Sequence, residues 1–306
     1  MQNDPQQWLV EYQTTRYLRK LDEAALELRY RNLSANLWST DRRGNPIPTR
    51  DPLRRSGILR LLVHTEFERM LQSGSSNIQF NETSMREVAI GAYRPPELVK
   101  APTSDVGCFG KFGERDHIAQ MFERGLVRIS PASSYDDPSL NPAQADRELE
   151  HQTITPNKSL LFKLYRLDGD GNEVEHTVEK EHFFEFMNVP NFYVWCCGLG
   201  YDARLFHEFE ADAACLIFEK QAFVNRLEEA VLKLLPTAKF ENGPMNYYDP
   251  FTTEREQLIP IFSKDIRFLY QNEYRFAWRI DGDEPLEPFS VELGSLHDIA
   301  EYVELK

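Results

Sequence analysis

The chain has 306 residues, enough for one large domain or two modest ones with ample core. Hydrophobic residues are 41% and charged residues 27%, the balance of a globular protein, and no apolar run approaches the ~18–20 residues of a membrane span. The net charge of −14 opposes sequence-independent binding to a long nucleic-acid backbone, which needs basic surface.

The first residues lack the basic-then-apolar pattern of a secretion signal. Cys108, Cys196, Cys197 and Cys215 form no CxxC pair, which suggests reduced thiols and a cytoplasmic protein. Charge is uneven: residues 16–69 carry twelve Lys/Arg against seven Asp/Glu, and the remainder is strongly acidic. Such a basic segment can touch a nucleic acid, face an acidic part of its own chain, or be a solvated helix face.

In chain order, residues 5–38 read as one helix, with Leu18, Leu21, Ala25 and Leu28 at helical spacing and Pro5 in its first turn. Residues 39–52 read as a loop with three prolines and a glycine. A second helix is predicted over 53–72, ended by Gly74. Residues 75–104 are polar and mixed. A soft boundary near 104 gives an N-terminal helical region, 1–104, and a second domain, 105–306.

The second part opens with a short strand over 106–112, with glycines at 107 and 110 and a third at 113. A helix over 117–124 is closed by Gly125. A strand over 126–130 and a polar turn over 131–138 follow. The glycines around Lys111 match neither GxxxxGK[ST] nor GxGxxG, so a nucleotide-triphosphate loop is excluded. Residues 139–158 read as a polar loop or short helix, and 160–167 as a strand. Asp168, Asp170 and Asn172 sit at calcium-loop positions, but Glu173 stands where glycine belongs and β-type residues flank the turn, which favours a hairpin.

Residues 192–200 form a continuous apolar run, expected as a central strand. A short helix over 203–210, a strand over 213–218 and an amphipathic helix over 220–235 follow, the last with Phe223, Leu227, Val231 and Leu234 on one face. Residues 273–279 alternate: Tyr274, Phe276 and Trp278 on one side, Glu273, Arg275, Ala277 and Arg279 on the other. Glu273 and Arg275 therefore share a face, either as a reactive pair or as an ordinary structural ion pair. A strand over 288–293 and a last helix or short strand over 295–305 close the chain. Seven or eight strands with a few helices between them predict an α+β fold, not a βαβ alternation.

The order of these pieces resembles a bacterial family, domain-of-unknown-function family 2971. The segment Phe109, Gly110, Lys111, Phe112 matches its lysine-bearing aromatic opening. Arg128, Ile129, Ser130, Pro131 and then Tyr135, Asp136, Asp137, Pro138 match a strand ending in serine and an acidic turn before proline. Residues 194–198, 206–209 and 215–218 match its central strand, helix and cysteine-containing strand. Lys264, Glu273 and Arg275 match its closing lysine and Glu-x-Arg. The resemblance covers about 106–306. Tyr135, Phe206 and Glu208 depart from the family's asparagine, tryptophan and histidine, and the first hundred residues match nothing in it.

In layout the family is similar to the ADP-ribosyltransferase fold, which implies a mixed or antiparallel split sheet of short strands behind an N-terminal helical extension. The implied activity is NAD-dependent ADP-ribosyl transfer or NAD glycohydrolysis, in a bacterial toxin or anti-phage effector. NAD would be the substrate, with a protein or RNA acceptor. Glu273 would be catalytic, stabilising the oxocarbenium-like transition state. Lys111, Phe112, Ser130, Tyr135 and Asp136 would line the NAD site, and Arg275 would hold the pyrophosphate or fix Glu273. The competing function is a non-enzymatic interaction or sensor module whose N-terminal helices oligomerise or bind a partner such as an antitoxin. It requires a large apolar face on 16–38 or 53–72.

Each residue also has an ordinary role. Lys111 can be a surface lysine, Asp136 and Asp137 turn caps, and Cys196 and Cys197 inert buried thiols. No HExxH or Cys/His cluster suggests zinc, and no triad pattern accompanies His117 or His207. Metal-dependent phosphodiester chemistry would require Asp136, Asp137 and Glu273 to converge.

Overall fold

The single helix predicted over 5–38 is two helices in the structure, a computed structural model that describes residues 5–74, 90–167, 173–282 and 285–306, with side chains of 155–184 excepted. Helix α1 spans Pro5–Thr15 and α2 spans Glu23–Ala35. Arg16 adopts φ +40, which ends α1. Asp22 restarts the helix by accepting the Ala25 N–H at 2.8 Å. Apolar periodicity ran through both signals because Leu18, in the turn itself, is fully buried. The predicted loop contains a small antiparallel hairpin, β1 (Trp38–Thr40) with β2 (Pro46–Pro48).

Helix α3 spans Pro52–Ser73. Asp51 caps it by accepting from the Leu53 and Arg54 amides, Pro52 sits in its first turn, and Gly74 closes it in the left-handed region. Its apolar stripe is used inside the chain. Ile58 and Leu62 pack with Leu33 and Leu37 of the α2 segment and reach Ile266 and Leu269, while Phe67 joins Tyr12, Leu18 and Leu26. The large apolar face needed for a partner-binding module is thus occupied by the chain itself, although Leu28 and Leu53 are exposed.

Strand β3 (Phe109–Gly113), helix α4 (Arg115–Arg124) and β4 (Leu126–Pro131) follow the predicted order. Gly125 between the last two has φ +67, and a Cβ there would meet the Gly294 carbonyl oxygen at 2.2 Å, so only glycine fits. A 3-10 turn, Ala132–Tyr135, comes next. The stretch read as loop or short helix instead ends in β5 (Glu150–Leu167), a long strand paired antiparallel with β6 (Glu173–Asn188). The predicted hairpin turn, and the alternative calcium loop, fall on 168–172, outside the described residues; so does the first half of the polar stretch after 74.

The remaining elements are β7 (Tyr193–Leu199), α5 (Arg204–Glu208), β8 (Ala213–Ile217), α6 (Lys220–Leu234), β9 (Lys239–Pro244), β10 (Asn246–Tyr248), β11 (Ser263–Asp265), a 3-10 turn (Ile266–Gln271), β12 (Glu273–Arg279), β13 (Phe289–Glu292) and β14 (Ala300–Glu304). Helix α6 buries Phe223, Val224, Leu227 and Val231, but Leu234 is exposed, unlike the prediction, where the last turn clears the sheet. The described strands number fourteen, more than the seven or eight predicted, because several are three-residue pairings without a periodic signal.

The fold is α+β around an eight-stranded antiparallel sheet. Its path is β13-β4-β7-β3-β8-β14, with β12 on the free edge of β7 and β9 beyond it. The register of β7 decides where a site can form. One edge pairs with β12 from Tyr193 to Gly198. On the other edge β4 takes Tyr193 and Val194, and β3 takes Gly198 and Leu199. Residues 195–197 face no strand on that edge, so the sheet splits there. One face of the sheet packs Trp195, Phe276 and Trp278 against Phe223 and Leu227 of α6; the other packs Phe112 and Leu216 against Leu205 and Phe206 of α5. The helical N-terminal segment is tied to the rest by Arg29, which grips Asp249 with two hydrogen bonds, and by Ser39 and Thr40, which donate to Asp202. Among the described residues no helix is long and apolar enough to cross a membrane.

Candidate functional site

Glu273 opens β12, directly after Asn272, which turns the chain through φ +45. The side chain of Asn272 donates to the Leu199 carbonyl at 2.6 Å and fixes the strand start against the end of β7. Strand period places Arg275 on the same face as Glu273. The pair is buried, not superficial: Glu273 is 6% exposed and Arg275 0%.

Arg275 donates from Nε and Nη2 to Glu273 Oε1, at 3.0 and 2.9 Å. Lys264, from β11, donates to Glu273 Oε2 at 2.7 Å. A third chain segment supplies Glu148, whose Oε1 accepts from Arg275 Nη2 at 2.7 Å. Asp146 lies 3.4 Å from Lys264 Nζ. Two cations therefore hold three carboxylates. Burial penalises all of these charges, and for Lys264 and Arg275 the surrounding carboxylates outweigh it and keep both cationic. Burial likewise opposes ionisation of Glu273, but Lys264 and Arg275 outweigh it and hold this carboxyl below the ordinary range. Glu148 responds in the opposite direction: burial raises it to about 7 in spite of Arg275 and Lys264.

This network forms one wall of a cleft of about 310 Å³, at the lower end of the range for small-molecule sites. The cleft opens where the sheet splits. Lys111 and Phe112 of β3, Ser130 of β4, Tyr135 of the 3-10 turn and Glu273 of β12 all line it. Lys111 bridges the split by donating from Nζ to the Cys196 carbonyl at 2.8 Å, with Nζ 5.1 Å from the Trp195 ring centre. Cys196 and Cys197 also line the cleft, but burial raises both thiols, and the nearby Glu273 charge raises them further, which disfavours a thiolate nucleophile.

Two predicted site residues lie elsewhere. Asp136 is exposed on the turn, 3.8 Å from Arg147, and is not part of the cleft wall. Arg275 sits behind Glu273 with its third nitrogen, Nη1, donating to the Ile261 carbonyl at 2.7 Å. It is sealed from the cleft and so cannot hold a pyrophosphate; its geometry is that of the residue that fixes Glu273. Asp137 caps the Ser139 amide at 2.8 Å, and neither turn aspartate joins Glu273, which removes the carboxylate cluster that metal-dependent phosphodiester chemistry would need. Among the described residues no three His, Cys, Asp or Glu side chains are grouped to hold a metal.

Sequence reasoning did not find Glu148, Asp146 or Gln271. The first two belong to the stretch read as loop, where no spacing links them to residues more than a hundred positions on. Gln271 lines the cleft and is held by its hydrogen bond to the Ala143 carbonyl at 2.7 Å. Lys264 stood out only as a family lysine without a role. An ionised buried carboxylate facing a cleft can stabilise a developing positive charge, and a carboxyl titrating near neutrality can exchange a proton with a ligand. Comparison of the chain with protein-family models, with curated proteins and with solved structures finds no match, so the chemistry of the cleft is argued from these residues.

Proposed function

We propose that the cleft binds NAD and cleaves its nicotinamide–ribose bond, as an ADP-ribosyltransferase or NAD glycohydrolase of ADP-ribosyltransferase-like layout. The observation that carries this reading is the convergence of Lys111, Phe112, Ser130, Tyr135 and Glu273 on one cleft at the split of an antiparallel sheet. The resemblance to domain-of-unknown-function family 2971 supplies Lys111, Phe112, Ser130 and Glu273 in the same order, with Tyr135 in place of the family's asparagine, and with it the expectation of a bacterial toxin or anti-phage effector.

In this reading Glu273 accepts a ribose hydroxyl and faces the sugar carbon as its bond to nicotinamide breaks. A fixed negative charge there stabilises the oxocarbenium-like transition state. Lys264 and Arg275 keep Glu273 ionised and in place. Tyr135 and Phe112 offer aromatic surface to the nicotinamide ring. Lys111 offers a positive charge to the diphosphate, and Ser130 a hydroxyl. Water is the acceptor in glycohydrolysis, and a protein or RNA group in transfer.

The test is incubation with NAD labelled in the nicotinamide, followed by measurement of free nicotinamide. Glu273→Gln is expected to lower the rate at least ~100-fold. Glu273→Asp, which keeps the charge, covers the case in which the glutamine variant does not fold. A folded wild-type protein that neither binds nor consumes NAD refutes the proposal.

A further inference from the structure

We infer that Glu148 is the proton acceptor of the cleft: it takes the proton of the attacking hydroxyl while Glu273 stays ionised. The inference rests on the NAD-cleaving reading and assigns a role to a residue outside the motifs that suggested it.

The two carboxylates share one guanidinium nitrogen, Arg275 Nη2, so they stand side by side in the cleft wall. Their hydrogen bonding is unequal. Glu273 accepts three bonds, one from Lys264 and two from Arg275. Glu148 accepts one, at Oε1. Its Oε2 lies 2.6 Å from the same nitrogen but off the N–H direction, and it has no hydrogen bond. Lys264 Nζ is 3.8 Å from Oε1, too far to donate.

Charge counting leads to the same carboxyl. Among the described residues Asp146, Glu148 and Glu273 form ion pairs only with Lys264 and Arg275, so full ionisation leaves one uncompensated negative charge in a buried setting. A proton on one carboxyl removes it. Glu273 is the worst host, because a proton there competes with three donors. Asp146 is the most exposed of the three and can be solvated where it stands. Glu148, buried and with one oxygen in ion-pair contact but outside any hydrogen bond, is the best host. The other groups that act on it are the Tyr135 hydroxyl and the Cys196 thiol, which burial keeps protonated. Burial therefore dominates its titration and raises it to about 7, opposed by Arg275 and Lys264 and reinforced by Asp146 and Glu273.

The step balances without a further reagent. Ionised Glu148 accepts the proton from water or from an acceptor hydroxyl. The oxygen forms its bond to the ribose carbon, and the carbon–nitrogen bond breaks. Nicotinamide leaves with that electron pair, which neutralises its pyridinium charge. Glu148 ends protonated and releases the proton to solvent before the next turnover.

The experiment measures nicotinamide release from pH 5.5 to 8.5, together with NAD affinity. For wild type, kcat should rise with pH through a single ionisation near neutrality. Glu148→Gln should lower kcat by ~100-fold or more and flatten that profile, with NAD affinity changed less than about threefold. Sodium formate should restore activity to Glu148→Ala, an effect that a purely structural role does not give. Wild-type infrared spectra should show a protonated-carboxyl band at pH 6 that is lost by pH 8, which needs no variant to fold. If Glu148→Gln keeps the wild-type rate and profile, or the band is absent, the inference fails while NAD cleavage stands. If wild type shows no NAD cleavage, both fail.

Discussion

Lys111 Nζ donates to the main-chain carbonyl of Cys196 at 2.8 Å, in the gap where β3 and β4 part along the edge of β7. A strand would ordinarily satisfy that carbonyl; here a lysine side chain does, at the cleft wall. Because the carbonyl borders the cleft, water can replace the lysine. Lys111→Met should therefore cost only about 1 kcal/mol, a Tm shift of ~2–4 °C, while lowering NAD turnover ~10-fold or more. Calorimetry beside the nicotinamide assay checks this. A large Tm loss with unchanged turnover per folded molecule would make Lys111 a structural residue only.

Glu273 is expected to be important to stability as well as to chemistry. Glu273→Ala leaves Lys264 and Arg275 facing each other beside only Glu148 and Asp146, with buried donors unpaired. Removal of one partner of a buried ion pair typically costs about 3–5 kcal/mol. Replacing both Lys264 and Glu273 with apolar residues of similar volume should recover much of that loss, because the desolvation of both charges disappears. Denaturant midpoints of the two single variants and the double variant provide the cycle. A double-variant loss equal to the sum of the two single-variant losses would mean that Lys264 and Glu273 are not energetically coupled.

The pH dependence of stability separates the two glutamates. Glu273 is depressed in the folded chain, so its contribution is present above the unfolded carboxyl value and is lost as pH falls through the folded one. Glu148 is raised from 4.5 to about 7, so the sign reverses. Its contribution is full below 4.5 and is lost as pH rises through about 7. Relative to Glu148→Gln, wild type should thus lose stability between these limits, by on the order of 3 kcal/mol. Chemical denaturation at pH 4.5, 6 and 8 reads the difference. A constant gap between the two proteins across that range would show that Glu148 does not titrate there.

Legibility in the sequence follows the range of the signals. Gly74 and Gly125 ended helices as their left-handed conformations require, and the 273–279 alternation gave both the strand and the shared face of Glu273 and Arg275. Arg16 and Asp22 were visible residues, but apolar periodicity through Leu18 masked the break they cause. The split of the sheet was not legible from the residues alone, because it arises from three strands competing for two edges of β7. Nor was Glu148, since its place beside Glu273 depends on a contact with Arg275 across 127 positions. Whether Arg275 touched a ligand or stood behind Glu273 depended on depth, which a period of two does not encode.

Arg29 and Asp249 make the main polar clamp between the N-terminal helices and the rest of the chain. Both are buried, and the two nitrogen–oxygen contacts are 2.8 and 2.7 Å, with the guanidinium 5.0 Å from the Phe251 ring centre. Breaking the clamp with Arg29→Met leaves Asp249 buried without its cation, at an expected cost of about 3–5 kcal/mol. Because Asp249 follows β10, and Tyr247 of that strand accepts the Glu273 amide at 2.8 Å, the disturbance has a short route to the cleft. Arg29→Met should therefore speed proteolysis of the N-terminal segment and weaken NAD turnover together. Arg29→Lys should do both to a smaller degree, since one ammonium cannot make the paired contact. Limited proteolysis with parallel nicotinamide assays measures the two effects, and release of the N-terminal helices with full turnover would show that they leave the cleft unaffected.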